Sequence, residues 1–144
     1  MVRVDFDELE PTDDYLALNY KGQLFTGIAF ELGQHGELLS ETSYVNGQKE
    51  GIAKEWIPTG VIVREQHYAG GALHGHSREW HETGNLKSEA EYELGICLWE
   101  KEWTNDSRLI RDFVLNEGDP QFATLRTLRT STIGQTIQAS EAKK

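Results

Sequence analysis

The sequence predicts an all-β repeat protein: an antiparallel β-meander of consecutive hairpins with a 24-residue period, closed by a short C-terminal helix. Three observations carry this. Tyr20, Tyr44, Tyr68 and Tyr92 are spaced 24 residues apart. Glycines keep the same ruler, at Gly27, Gly51 and Gly75 and again at Gly36, Gly60 and Gly84. The columns Leu32, Trp56, Trp80 and Glu41, Glu65, Glu89 recur in phase with them. A unit of this length is too small to bury its own apolar face, so the units must pair side by side.

In chain order, residues 1–19 read as an acidic leader that caps the stack and residues 20–116 as four hairpin repeats, the fourth degenerate. Residues 117–144 read as a short helix with a frayed tail. Trp56–Gly60 and Trp80–Gly84 end on glycines able to take the positive φ of a tight loop. Asn46-Gly47 and Gly70-Gly71 are strong two-residue turn signals, and Leu94-Gly95 is a weaker one. Strands of about five to seven residues remain between these turns. So short a connection makes neighbours antiparallel, because a parallel crossover needs about a dozen residues or more.

Alternate residues of a strand point to opposite faces. On that parity Leu38, Ile62 and Leu86 share a face with Tyr44, Tyr68 and Tyr92. Ile28, Phe30 and Leu32 share a face on their strand, as do Ile52 and Trp56 on theirs. These positions are expected to form one packed face, with aromatics stacking between repeats. The opposite face then carries two glutamate columns, Glu31, Glu55, Glu79 and Glu41, Glu65, Glu89.

The fourth unit departs from the ruler. Trp99 stands where glycine is expected, Trp103 falls one place early, Arg108 replaces the turn glycine and Phe113 the last glutamate. Terminal repeats deviate when they cap a stack. Beyond them, Asp119 as N-cap and Pro120 at the first helical position open a helix over about residues 120–129, with Phe122, Leu125 and Leu128 as its apolar stripe. From Thr130 the Ser, Thr and Gln-rich tail is expected to fray.

With 144 residues the chain is one domain by size. Its single cysteine, Cys97, excludes an internal disulfide and suits a reducing compartment. With no signal-like start and no run of membrane-spanning length, the expectation is a soluble, cytoplasmic protein. The net charge is −10, and residues 1–96 hold seven basic against seventeen acidic residues, the remainder balancing at seven each. A field of that sign repels nucleic acid and anionic membranes and attracts basic proteins, besides serving solubility.

The units Tyr44-Val-Asn-Gly47-x3-Gly51-x4-Trp56-x3-Gly60 and Tyr68-Ala-Gly-Gly71-x3-Gly75-x4-Trp80-x3-Gly84 resemble MORN-type repeats. The opening Tyr20-Lys-Gly22-Gln-Leu-Phe-Thr-Gly27, after an acidic leader, is similar to the bacterial YwqK family of MORN-like antitoxins. The resemblance covers residues 15–95 well and 96–116 poorly. It implies an antitoxin or immunity protein that binds and silences a cognate toxin. It carries over no catalytic residue and no toxin-contacting position.

Catalytic motifs are scarce. There is no Gly-x-Ser-x-Gly elbow and no phosphate-cradling loop opening a helix. His74 and His76 share a strand face and can be set beside His67 or His81, but a metal site needs three or four convergent ligands. Glu50 and Ile52 hold the equivalent places one repeat earlier, so the histidines read as partly solvated side chains. Cys97 has no neighbouring base and reads as a structural thiol. The glutamate columns Glu31, Glu55, Glu79 and Glu41, Glu65, Glu89 are either a solvated face that keeps the sheet from stacking or a comb for basic residues of a partner. Trp99 and Trp103 are either a cap under the C-terminal helix or apolar anchors at an interface.

These readings combine into one expectation: a non-enzymatic antitoxin or immunity protein, monomeric when free, without metal or cofactor. It blocks a cognate basic toxin domain acting on nucleic acid by steric and electrostatic means, and touches neither nucleic acid nor membrane itself. The alternative is a MORN scaffold or adaptor that tethers another protein or a membrane-associated complex.

Overall fold

The computed structural model of the chain describes residues 1–143, so the last residue of the expected tail, Lys144, lies outside the described residues. In chain order the elements are β1 (Arg3–Asp5), a 3-10 turn (Phe6–Glu8), β2 (Glu10–Pro11), β3 (Leu18–Tyr20), β4 (Gln23–Leu24), β5 (Gly27–Leu32) and β6 (Leu38–Val45). There follow β7 (Gln48–Trp56), β8 (Ile62–Ala69), β9 (Ala72–Trp80), β10 (Leu86–Glu93), β11 (Ile96–Trp103), β12 (Leu109–Val114), α1 (Pro120–Thr130) and α2 (Thr132–Ala142). The protein is all-β apart from its C-terminal helices: β5 to β12 form an antiparallel meander in sequence order. One strand breaks the expected antiparallel pattern. β1 pairs with β5 in parallel, which the long connection between them permits. That connection builds a second, three-stranded sheet, β2-β3-β4, so Tyr20 stands outside the main sheet.

Two kinds of turn alternate. Lys21-Gly22, Asn46-Gly47, Gly70-Gly71 and Leu94-Gly95 all take φ of 49–56° and then 79–86°, the type I′ turn whose twist matches the strands it joins. At the other end of the sheet lie Gly33–Glu37, Ile57–Val61, His81–Asn85 and Thr104–Arg108. In each, the first N–H donates to the fifth carbonyl at 2.8–3.0 Å and the fourth N–H to the first carbonyl at 2.9–3.1 Å.

A bulge follows each of these longer loops. Leu32 pairs with Leu38 but Glu31 with Ser40, which leaves Leu39 extra; Val63, Lys87 and Ile110 are extra in the same way. One extra residue reverses parity. Leu38, Ile62 and Leu86 therefore pair with Leu32, Trp56 and Trp80, on the face opposite Tyr44, Tyr68 and Tyr92, and the expectation that they share the tyrosine face is corrected. A second bulge lies in the first strands, where Glu50–Ile52 stand against Ser43 and His74–His76 against His67. Its middle residues Gly51 and Gly75 take φ of 89° and 103°. A Cβ on Gly51 would meet nothing closer than 3.7 Å, so the backbone conformation, not space, demands glycine there.

The fourth repeat lacks this glycine, and its bulge holds a single extra residue, Leu98. All later columns move by one. Trp99 occupies the place of His76, opposite Glu91, rather than that of Gly75. Trp103 pairs with Leu109 as Trp80 pairs with Leu86. Ser107, with φ 66°, takes the turn-glycine position in place of Arg108, and Asp112 rather than Phe113 continues the glutamate column. The fourth unit is thus a regular repeat shortened by one residue.

Each end is capped. Val4, Phe25, Ala29 and Tyr44 are buried together, with Leu9, Leu18 and Tyr20 packed around them. The Phe25 ring lies 6.1 Å from Tyr20 and 5.7 Å from Tyr44. Among the described residues ring pairing stops there, and aromatics do not stack from repeat to repeat. At the C-terminus Pro120 opens α1, but Asp119 accepts from the Asn116 N–H (2.8 Å) rather than capping the helix. Leu125 is 1 % exposed, with Phe122 and Leu128 half-buried. The tail does not fray. Ser131 accepts from the Gly134 N–H at 3.0 Å and starts α2, and Ile133 and Ile137 lie against Gly70. Gly134 is required by contact: a Cβ there would sit 2.1 Å from the Leu128 carbonyl oxygen.

Candidate functional site

Register sorts the two faces. Glu31, Ser40, Glu55, Arg64, Glu79, Ser88 and Glu102 form one row across the strands, on the face of Tyr44, Tyr68 and Tyr92. Phe30, Glu41, Lys54, Glu65, Arg78, Glu89, Lys101 and Asp112 form a row on the other face. The two glutamate columns therefore stand on opposite faces of the sheet, not together. Relating the parity of one strand to the next requires the register, and the bulges shift it.

From Glu41 to Asp112 the second row alternates strictly in sign. Equivalent strands are about 9–10 Å apart, but a lysine or arginine of the intervening strand fills each gap. Arg78 reaches Glu89 at 3.2 Å, and Glu41 pairs with Arg3 of β1. On the tyrosine face Arg64 forks between Glu55 (2.8 Å) and Glu79 (3.2 Å). Of the six glutamates expected as a comb, Glu31 and Glu65 alone make no ion pair among the described residues. Lys54, Arg78 and Lys101 were the residues sequence reasoning passed over. Their signal was present, since Lys54 and Arg78 stand ten residues after Tyr44 and Tyr68.

Beside the charge ladder lies an apolar band. Leu32–Leu38, Trp56–Ile62, Trp80–Leu86 and Trp103–Leu109 are cross-strand pairs on one face, so the band crosses eight strands. The tryptophans are half-buried, and Leu32 and Leu109 are 49 % and 47 % exposed at its ends. The substantial contacts of these strands are with their sheet neighbours, and the C-terminal helices meet the sheet toward the two-residue-turn end, at Gly70, His74 and Glu93. Trp103 belongs to the band. Trp99 stands on the same face, between Glu91 and Val114.

The histidines are held separately. His74 Nδ1 accepts from the Leu94 N–H (3.0 Å) and its Nε2 meets Glu141; His76 Nδ1 lies 2.9 Å from Glu91. His67 Nδ1 lies 3.0 Å from the His76 carbonyl, and His81 Nε2 donates to the Trp103 carbonyl at 3.0 Å. Among the described residues no three of His, Cys, Asp and Glu are grouped as metal ligands. Burial pushes the Cys97 thiol pKa up, and the thiol donates to the Trp99 carbonyl (3.3 Å). Half of the unbalanced acid is in the N-terminal cap, where residues 1–14 hold six carboxylates and one arginine, itself tied to Glu41, and residues 15–96 hold the other half, eleven acidic against six basic residues. No helix among the described residues is long and apolar enough to cross a membrane.

Residues 49–69 and 73–94, the hairpins β7–β8 and β9–β10, match the family model described as MORN repeat variant. No curated protein and no solved structure matches the chain. The matched hairpins carry the repeated glycines, tryptophans and bulges described above, and over these two repeats the chain is similar to the MORN repeat variant.

Proposed function

We propose that the chain is a non-enzymatic binding scaffold for a basic protein, and that this partner is a cognate toxin domain acting on nucleic acid. The observation that carries the binding reading is the partly exposed apolar band of Trp56, Trp80 and Trp103 with their aliphatic partners, exposed at its ends Leu32 and Leu109. A soluble protein that leaves an apolar strip open beside a charged row has a surface suited to a partner, and tryptophan is enriched at the centres of such contacts. The choice of a basic partner rests on the net charge of −10 and the uncompensated acid of the cap. A toxin acting on nucleic acid must itself attract phosphate, so an acidic inhibitor uses the field meant for the substrate. Blockade is then steric at the band and electrostatic around it. The glutamates Glu31 and Glu65, without ion pairs among the described residues, are the members of the two columns best placed to meet such a partner. The antitoxin reading draws on the resemblance of Tyr20–Gly27 and the leader to YwqK-type antitoxins, and sets the protein in the cytoplasm.

The test is growth rescue in cells expressing the toxin encoded beside this protein, paired with binding kinetics. Wild-type protein is expected to rescue, and Trp80→Ala with Trp103→Ala to raise the off-rate. Binding without rescue, or capture of a protein that is not toxic, refutes neutralisation and leaves the adaptor reading. A doubly substituted band that binds like wild type refutes the band as interface.

A further inference from the structure

We propose that the turn Thr12–Ala17 is a docking point for lysine and arginine side chains of a basic protein partner, with Tyr15 and Leu16 as its apolar anchors. This rests on the reading of the chain as a binder of basic protein, and adds a contact away from the sheet. The turn presents large apolar side chains to solvent: Tyr15 is 80 % exposed, Leu16 73 % and the neighbouring Leu24 50 %. A groove of about 770 Å³ lies elsewhere, beneath α2, but the one beside this turn, about 570 Å³, has the distinctive lining. Asp13 and Asp14 stand with Leu16, Leu24, Asn46 and Gln48, and among the described residues no basic one lines it.

The charge there is available, unlike that of the sheet. Asp14 accepts from the Thr12 hydroxyl (2.5 Å) and the Leu16 N–H (3.0 Å), both at Oδ1, which leaves Oδ2 without a partner among the described residues. The Thr12 hydroxyl, then the Leu16 N–H, hold this carboxyl below the usual range, so it stays ionised at neutral pH. Asp13 makes no ion pair among the described residues, and Glu10 stands in line with Leu24 across β2-β3-β4. The nearest lysines in the cap and first repeats are engaged with rings, Lys21 over Tyr20 at 5.2 Å and Lys49 over Tyr68 at 4.9 Å. Leucine walls beside carboxylates suit a side chain with a methylene stem and a cationic head, which lays the stem on apolar surface and the head in the acid. Tyr15, next to Asp14 and Leu16 in the turn, borders the adjoining cleft with Ala17, Leu18 and Gln48, and its exposed ring adds a face for a cation of the same partner.

The experiment is an amide NMR titration of the whole protein with a peptide of alternating lysine and leucine, beside a control with glutamate for lysine. Shifts confined to Thr12–Ala17, Leu24, Asn46 and Gln48, absent with the control, are expected. Tyr15→Gly removes the ring while glycine accepts the φ of 59°, so the turn is kept. It is expected to weaken the peptide about tenfold, the loss of a hot-spot residue. Asp13→Lys is expected to abolish the shifts. Shifts centred on the sheet glutamates, or wild-type affinity in Tyr15→Gly, overturn the proposal. Failed growth rescue with the shifts as expected refutes the toxin partner and leaves this site standing.

Discussion

Ser107 and Arg108 give opposite predictions according to how the fourth repeat is aligned. On the unbroken 24-residue ruler Arg108 holds the turn-glycine place, so Arg108→Gly should stabilise. In the structure Ser107 is left-handed at φ 66°, matching Gly36, Gly60 and Gly84 at 83°, 91° and 93°. A left-handed L-residue costs about 1–2 kcal/mol, while glycine adds about 0.5–1 kcal/mol of chain entropy to be lost on folding. The difference leaves Ser107→Gly more stable by about 0.5–1 kcal/mol, a rise of about 1–4 °C in midpoint for a domain of this size. No backbone hydrogen bond is at stake, since the Ser107 N–H to Thr104 carbonyl bond (2.9 Å) does not involve the side chain. Arg108→Gly should instead destabilise by about 0.5–1 kcal/mol, because its φ lies outside the left-handed region and glycine there only adds entropy. Thermal unfolding followed by circular dichroism reads both. A midpoint that falls in Ser107→Gly and rises in Arg108→Gly would refute the one-residue shift and every column assignment built on it.

The charge ladder predicts that Arg78→Glu, which sets three acids side by side between Glu65 and Glu89, destabilises by about 1 kcal/mol or less, and that high salt removes most of the loss. Urea midpoints at two ionic strengths measure it. Hydrogen bonds from Arg129 to Glu93, at 2.5 and 2.9 Å, hold that carboxyl below its ordinary range. A depressed pKa adds stability that is present above the unfolded value and lost as pH falls through the folded one, so amide protection factors in α1, corrected for the intrinsic exchange rate at each pH, should fall at about pH 3 relative to about pH 6, and Arg129→Ala should flatten that dependence. Leu125→Ala, at a position 1 % exposed, should cost about 2–4 kcal/mol in the urea midpoint and release the helices before the sheet.

Periodicity and turn residues together determined the hairpins: four tyrosines and two glycine columns share one spacing, and Asn46-Gly47, Gly70-Gly71 and Leu94-Gly95 each became the type I′ turn their residues favour. Pro120 likewise marked the start of α1. Local chemistry sets these features, and local chemistry is written in adjacent residues. The allocation of side chains to faces was decided by tertiary structure. A bulge such as Val63 adds one residue to one strand, reverses everything beyond it, and appears only once the partner strand's hydrogen bonds are known. That is why Glu41 and Glu55 looked like neighbours in a comb and stand on opposite faces, one beside Lys54 and the other beside Arg64. The tail shows the same limit. Thr132–Ala142 has little helix-forming bias of its own, and its order depends on the Ser131 cap, the Gly134 approach to Leu128 and the contacts of Ile133 and Ile137 with a distant turn. No neighbouring residue announces a contact with Gly70, which lies far back along the chain from Ile133 and Ile137, and only the folded sheet supplies it.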